Sequence, residues 1–183
     1  MVKALRIGFA LLALPWMFSA LHAANTAASE YEVKAAFLYN FAKFIEWPAD
    51  AVPDTGFKVC VLGENPFGDA LAGALEGKTV REKPLGLKFL TGDKEAGSCQ
   101  VLYISTSEKS RLPAILEAVR ESPVLTVSDT PRFIDQGGII GFSIDQNHVR
   151  FSVNLKAADK ARLTVSSQLL KLAKTVIGTP PAP

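Results

Sequence analysis

"CQVLYISTSEKSRLPAILEAVRESPVLTVSD", residues 99–129, begins and ends with short β-rich apolar runs and holds an amphipathic segment between them. The outer runs, "CQVLYIST" and "PVLTVSD", are continuously apolar rather than alternating, as strands covered on both faces are. The middle places Leu112, Ile115, Leu116 and Val119 on one helical stripe, with Pro113 near the start, where a missing N–H costs least. Strand, helix, strand in this order predicts a parallel pair joined by a crossover.

The flanking sequence repeats the theme. "FKVCVLG", 57–63, is another buried strand, ended by Gly63. "NPFGDALAGALEG", 65–77, reads as a helix with Asn65 at its N-cap and Pro66 at its first position. "TVREKP" and "LKFLTG" read as two short strands around a turn at Pro84-Leu85-Gly86. "RFIDQGG" is a short helix or turn closed by Gly137 and Gly138. The period then changes. In "IIGFSIDQNHVRFSVN", 139–154, Val149, Phe151 and Val153 alternate with His148, Arg150, Ser152 and Asn154 after the turn cluster Asp145-Gln146-Asn147. That predicts a hairpin with one wet face. "VSSQLLKLAKTVIG", 165–178, reads as a last helix with Val165, Leu169, Leu172, Ala173 and Val176 inward and Gly178 at its C-cap. The expected fold is a three-layer α/β domain over residues 30–178. It has a mostly parallel open sheet, helices on both faces and a late antiparallel hairpin extending one edge.

The N-terminal part carries two further signals. Lys3 and Arg6 precede the uncharged run "IGFALLALPWMFSAL", followed by Ala23 and Ala24, the pattern of a signal peptide at residues 1–23. An uncleaved anchor is the alternative. Removing that segment takes Lys plus Arg from 20 to 18, equal to the 18 acids, so the remaining domain is about neutral. It lacks the clustered basic charge of a nucleic-acid footprint. Residues 24–29 are expected to be a flexible leader and 179–183 a disordered tail. "YEVKAAFLYNFAKFIEWPAD", 31–50, is then an amphipathic helix capped by Ser29 and ended before Pro48. Val33, Phe37, Phe41, Phe44 and Ile45 are assigned to its buried face, and Glu32, Ala36, Tyr39, Lys43 and Glu46 to solvent. Its aromatics either fill the core or widen into a partner surface that includes Leu38, Tyr39 and Trp47. Asn40, lying on the apolar stripe, either holds a neighbouring loop or belongs to a site.

Cys60 and Cys99 are the two cysteines of the chain. An even count in an exported domain points to a disulfide, with two buried thiols as the alternative. They lack the paired close spacing of a zinc site, and no metal or other cofactor is expected. No phosphate-binding glycine loop and no nucleophile elbow occurs, so no catalytic residues are assigned and the chain is not read as an enzyme. His148 beside a hairpin turn has no catalytic company. One edge of the sheet could hold a small polar ligand, since loops at the carboxyl ends of parallel strands share one side. Asn65, Ser105, Ser107, Ser128 and Asp129 stand in those loops, where capping alone also explains them.

The blocks "YEVKAAFLYNFAKFIEWP", "CQVLYIS", "PVLTVSD", "GGIIGF", "VRFSVN" and "SSQLLKLA", in this order, resemble the YfiR family of small periplasmic proteins. The resemblance runs from about Glu30 to Val176. It implies a periplasmic, self-associating α/β protein, as a homodimer, with no known catalysis. It also implies an inner-membrane sensor partner of diguanylate cyclase or kinase type, and control of cyclic-di-GMP and biofilm. Cys60 and Cys99 match a cysteine pair of the family, while a second pair near the late hairpin is absent. From "VLYIS" onward the chain also looks distantly like one lobe of periplasmic solute-binding proteins.

Overall fold

The computed structural model describes residues 16–178, with side chains from Glu30 onward. Residues 1–15 of the expected signal peptide and the expected tail, 179–183, lie outside the described residues. In chain order the elements are α1 Trp16–Phe44, β1 Ile45–Glu46, β2 Phe57–Leu62, α2 Ala70–Leu75, β3 Thr79–Val80, β4 Lys83–Leu90, β5 Val101–Ile104 and α3 Leu112–Val119. Then follow β6 Leu125–Ser128, β7 Ile140–Asp145, β8 His148–Asn154, α4 Leu155–Lys160, β9 Thr164–Val165, α5 Ser167–Leu172 and β10 Thr175–Ile177.

Eight strands form one sheet in the order β10-β8-β7-β6-β5-β2-β4-β3. The pairs β4–β2, β2–β5, β5–β6, β6–β7 and β8–β10 are parallel. The hairpins β7–β8 and β3–β4 are antiparallel. The expected α/β class and mostly parallel sheet are therefore what the chain forms. Alternation along each central strand produces two cores. Phe57, Val59, Val61, Val101, Tyr103, Leu125 and Val127 pack on the side of α1, α2 and α5. Cys60, Leu62, Leu102 and Ile104 pack on the side of α3, against its four buried stripe residues. Helices thus cover both faces, and the continuously apolar strands are explained by burial on each.

The Cys60–Cys99 disulfide lies in the second core, with a Cα–Cα distance of 6.0 Å. β2 and β5 are neighbours with Cys60 opposite Leu102, which brings the residues just before β5 under β2. Gln100 reinforces this junction. Its Oε1 accepts from Lys58 N at 2.7 Å and its Nε2 donates to Ala51 O at 2.9 Å.

Several expected boundaries move. α1 continues through Ser29, which is therefore not its N-cap, and it ends at Phe44 because Ile45 and Glu46 pair with Val165 and Thr164. Its buried stripe is Lys34/Ala35, Leu38, Phe41/Ala42 and Ile45, while Val33 is 42% exposed and Phe37 and Phe44 are half-buried. Leu38 is core, not partner surface. α2 starts at Ala70 rather than beside Asn65, since Gly68 has a left-handed φ of 55° that breaks a helical path. Pro84-Leu85-Gly86 lies inside β4; the turn is Arg81-Glu82, both at positive φ. Proline's fixed φ is compatible with extended backbone near a sheet edge. "LKAADK", which carries no element in the expected fold, forms α4, capped by Asn154 Oδ1 accepting from Ala157 N at 3.0 Å. The last helix stops at Leu172, leaving that residue 65% exposed, and β-branched Thr175-Val176-Ile177 form β10 along β8. The hairpin does extend the sheet, but β10 is its edge.

Candidate functional site

At the carboxyl end of β6 the chain passes from Ser128 to Asp129, and the first described side chains of α1 cross it. Lys34 Nζ donates to Asp129 Oδ2 at 2.8 Å and lies 2.5 Å from Glu30 Oε1. Tyr31 donates its hydroxyl to the same Asp129 oxygen at 2.8 Å, and its ring sits under the Lys34 ammonium, 4.3 Å to the centroid. The Lys34 side chain is 3% exposed and that of Asp129 11%. Phe67 closes the cluster edge-to-face on Tyr31 at 5.4 Å and on Tyr103 at 4.7 Å. A pair this enclosed persists because each charge has a partner; a buried charge without one shifts its pKa or destabilises the fold.

Two atoms in the cluster are left over. Asp129 Oδ1 and the Tyr103 hydroxyl are buried with no hydrogen-bond partner among the described residues. Burial by itself pushes the Asp129 carboxyl up, but Lys34 and the Tyr31 hydroxyl outweigh it and hold the group below the usual carboxylate value. Burial first, and the charge of Asp129 second, push the Tyr103 hydroxyl well above the ordinary phenol range. Burial also raises the Tyr31 hydroxyl, followed by its hydrogen bond to Asp129 and then by the charge of that carboxylate. The carboxylate and the neutral phenol lie close enough to stabilise one another, the Tyr103 hydroxyl helping to hold Asp129 ionised, although no hydrogen bond of good geometry joins them. A shallow cleft of about 580 Å³, lined by Tyr31, Glu32, Pro66, Phe67, Gly68, Asp69 and Ala70, opens beside it.

The loop residues expected at this edge are gathered there, but mostly satisfy one another. Asn65 makes a local turn, accepting from Phe67 N at 3.0 Å and donating to Gly68 O at 3.0 Å. Ser107 Oγ accepts from Glu64 N at 3.0 Å, and Ser105 Oγ accepts from Ser107 N at 3.4 Å. Ser128 donates to Ile104 O at 2.7 Å and accepts from Thr130 N at 3.0 Å. Of the five, only Asp129 has a buried side-chain atom that makes no hydrogen bond at all. On α1, Tyr39 and Asn40 are half-buried, with Lys43 Nζ 5.4 Å and Lys78 Nζ 6.0 Å from the centroid of the Tyr39 ring. Trp47 is 5% exposed and packs edge-to-face on Phe57 at 5.3 Å, so it belongs to the core. His148 is exposed, with Nδ1 2.7 Å from Gln146 O. Among the described residues no group of three or more His, Cys, Asp or Glu could hold a metal ion, and no helix is long and apolar enough to cross a membrane.

Glu30, Tyr31, Lys34 and Tyr103 were not singled out from sequence. The available signal was the lysine itself. Lys34, Leu38, Phe41 and Ile45 follow one another at steps of 4, 3 and 4, so Lys34 heads the true apolar stripe. A lysine in that position has to meet a buried acid.

These features define a small disulfide-stapled α/β domain whose first helix is tied to the strand ends by a buried ionic cluster. The chain belongs to the YfiR/HmsC-like family, whose pattern matches residues 31–174. No curated protein matches it. Among solved structures it is similar to a conserved domain protein from Vibrio cholerae O1 biovar El Tor. That match has a TM-score of 0.51 and 10% identity, covering 66% of this chain and 54% of the other. It is also similar to an ABC domain from Streptococcus pneumonia in complex with L-Trp. There the TM-score is 0.52 and the identity 12%, over 76% of this chain and 60% of the other. The chain thus spans little more than half the length of each, and at these identities the likeness is one of fold.

Proposed function

We propose that this chain is a periplasmic regulatory protein that binds and restrains the periplasmic sensor part of an inner-membrane diguanylate cyclase, and so limits cyclic-di-GMP and biofilm formation. The observation that carries the reading is the family match over residues 31–174. A disulfide buried in one of the two cores is in keeping with an oxidising compartment. On this reading the chain transforms no substrate. Its partner engages the apolar surface to which Val33 of α1, 42% exposed, and Ile144 of β7, 48% exposed, contribute. Ile144 shares a sheet face with Phe142, which packs on Phe37 of α1 at 6.0 Å, so helix and hairpin present one continuous side.

In-cell crosslinking followed by capture from the envelope fraction tests this. A membrane protein with a cyclase domain should be recovered with the wild-type chain and lost with Ile144→Lys, whose folding is unchanged. Recovery of no membrane signalling protein, or equal recovery with Ile144→Lys, would contradict the reading. A second reading, a sensor for a small polar ligand, draws on the Asp129 carboxylate and the Tyr103 hydroxyl, which interact without a hydrogen bond of good geometry. It requires ligand-dependent melting that Asp129→Asn abolishes.

A further inference from the structure

We propose that a cavity at the opposite edge of the sheet, between α3 and α4, is a binding site for a small organic monocarboxylate with a compact apolar body. The cavity has a volume of about 190 Å³. It lies at the amino-terminal ends of β6 and β7, where Val124 and Ile139 lead into the strands, and so is remote from Asp129. Val119, Val124 and Ile139 make apolar walls, each 3% exposed or less. Arg120, Lys156 and Lys160 and one acid, Asp135, stand at its lining, and an adjoining cleft shares Arg120 and Lys160 and adds Arg162 and Glu121.

The charge balance there is uneven. Of the nearby acids, Glu117 and Glu121 pair with Arg120 at 3.3 and 3.6 Å and Asp135 pairs with Arg132 at 3.2 Å, while Asp159 on α4 is exposed and does not line the cavity. Arg162 reaches Asp50 at 3.9 Å. Among the described residues Lys156 and Lys160 have no carboxylate within 4.0 Å, so two ammonium groups on successive turns of α4 are left to face an incoming anion. Thr126 adds an independent indication. It lines the cavity, is 3% exposed, and accepts from Ile139 N at 3.0 Å, while its own proton has no acceptor among the described residues. A carboxylate would accept from Thr126 and pair with the lysines, and the walls would cover an apolar body. The volume is below the roughly 300–1,000 Å³ of drug-sized pockets, which limits the ligand to a small one. A cation is opposed by the lysines, and an inorganic anion leaves the apolar walls unused.

Calorimetry on the full chain with its disulfide formed, at constant ionic strength, separates these cases using benzoate, benzylamine and inorganic phosphate. Benzoate should bind saturably, benzylamine not at all, and phosphate at least tenfold more weakly than benzoate. Lys156→Gln and Lys160→Gln, both at exposed positions, should each weaken benzoate about tenfold. Ala157→Leu should fill the pocket and abolish binding with the urea midpoint retained. The proposal is overturned by absence of benzoate binding, by benzylamine or phosphate binding as tightly, or by benzoate affinity unchanged in both lysine variants.

Discussion

Replacing Lys34 with Met removes the cation from the buried cluster while keeping the length and packing of the side chain. Lys34 is 3% exposed along its side chain, and Asp129, at 11%, would then keep only neutral partners, the Tyr31 hydroxyl at 2.8 Å and the nearby Tyr103 hydroxyl. Breaking a buried pair from one side costs about 3–5 kcal/mol, because the remaining charge is left uncompensated. At about 2–4 °C per kcal/mol for a domain of this size, Tm should fall by about 6–20 °C. Asp129→Asn should cost less, since Lys34 keeps Glu30 at 2.5 Å. In the double variant Lys34→Met, Asp129→Asn, most of the loss should be restored, as neither charge remains. Urea denaturation at pH 7, with the disulfide intact, reads all four proteins. The acid limb gives a second check. The folded carboxyl of Asp129 titrates below its unfolded value of about 3.9, so its contribution is complete above that pH and is lost as pH falls towards the lowered folded value. Lys34→Met should flatten that limb. A Lys34→Met protein within about 1 kcal/mol of wild type, or one with unchanged acid sensitivity, would refute the view that this pair anchors α1.

Reducing the Cys60–Cys99 bridge, or replacing both residues with Ser, should cost about 4 kcal/mol by the loop-entropy argument for a separation of 39 residues, read as a shift in urea midpoint with and without reductant. Asn147→Gly should stabilise by about 0.5–1 kcal/mol, since Gln146 and Asn147 occupy the β7–β8 turn at φ of 48° and 60°; thermal melting checks it. Gly63→Ala should destabilise by about 1–3 kcal/mol, because its Cβ would meet Ser107 Oγ at 2.4 Å on a backbone with φ of +89°; a melt of the variant with unchanged Tm would contradict it. Asn40→Leu should leave stability within about 0.5 kcal/mol, since the amide is half-buried rather than enclosed; loss of partner capture with unchanged melting would assign Asn40 to a binding surface.

The sheet and its covering were legible from residue order because each central strand carries its own evidence. Val101–Ile104 and Leu125–Ser128 are apolar on both faces, and the Leu112–Val119 stripe has the helical period, so the βαβ unit follows from local pattern. The disulfide was legible too, since adjacent strands bring Cys60 and Cys99 within reach. What local pattern could not fix was the phase of α1. Val33, Phe37 and Phe44 look as apolar as Leu38 and Ala42, and only the position of the sheet beneath the helix selects the second set. The fate of Thr175–Ile177 was equally open, because helix and edge strand differ there only by whether β8 offers free backbone partners. The ionic cluster belongs to tertiary structure entirely. Lys34 and Asp129 are 95 residues apart, and a charged pair becomes strong only where the fold removes water from around it. Composition and periodicity report which side chains seek the interior; they do not report which of them meet there.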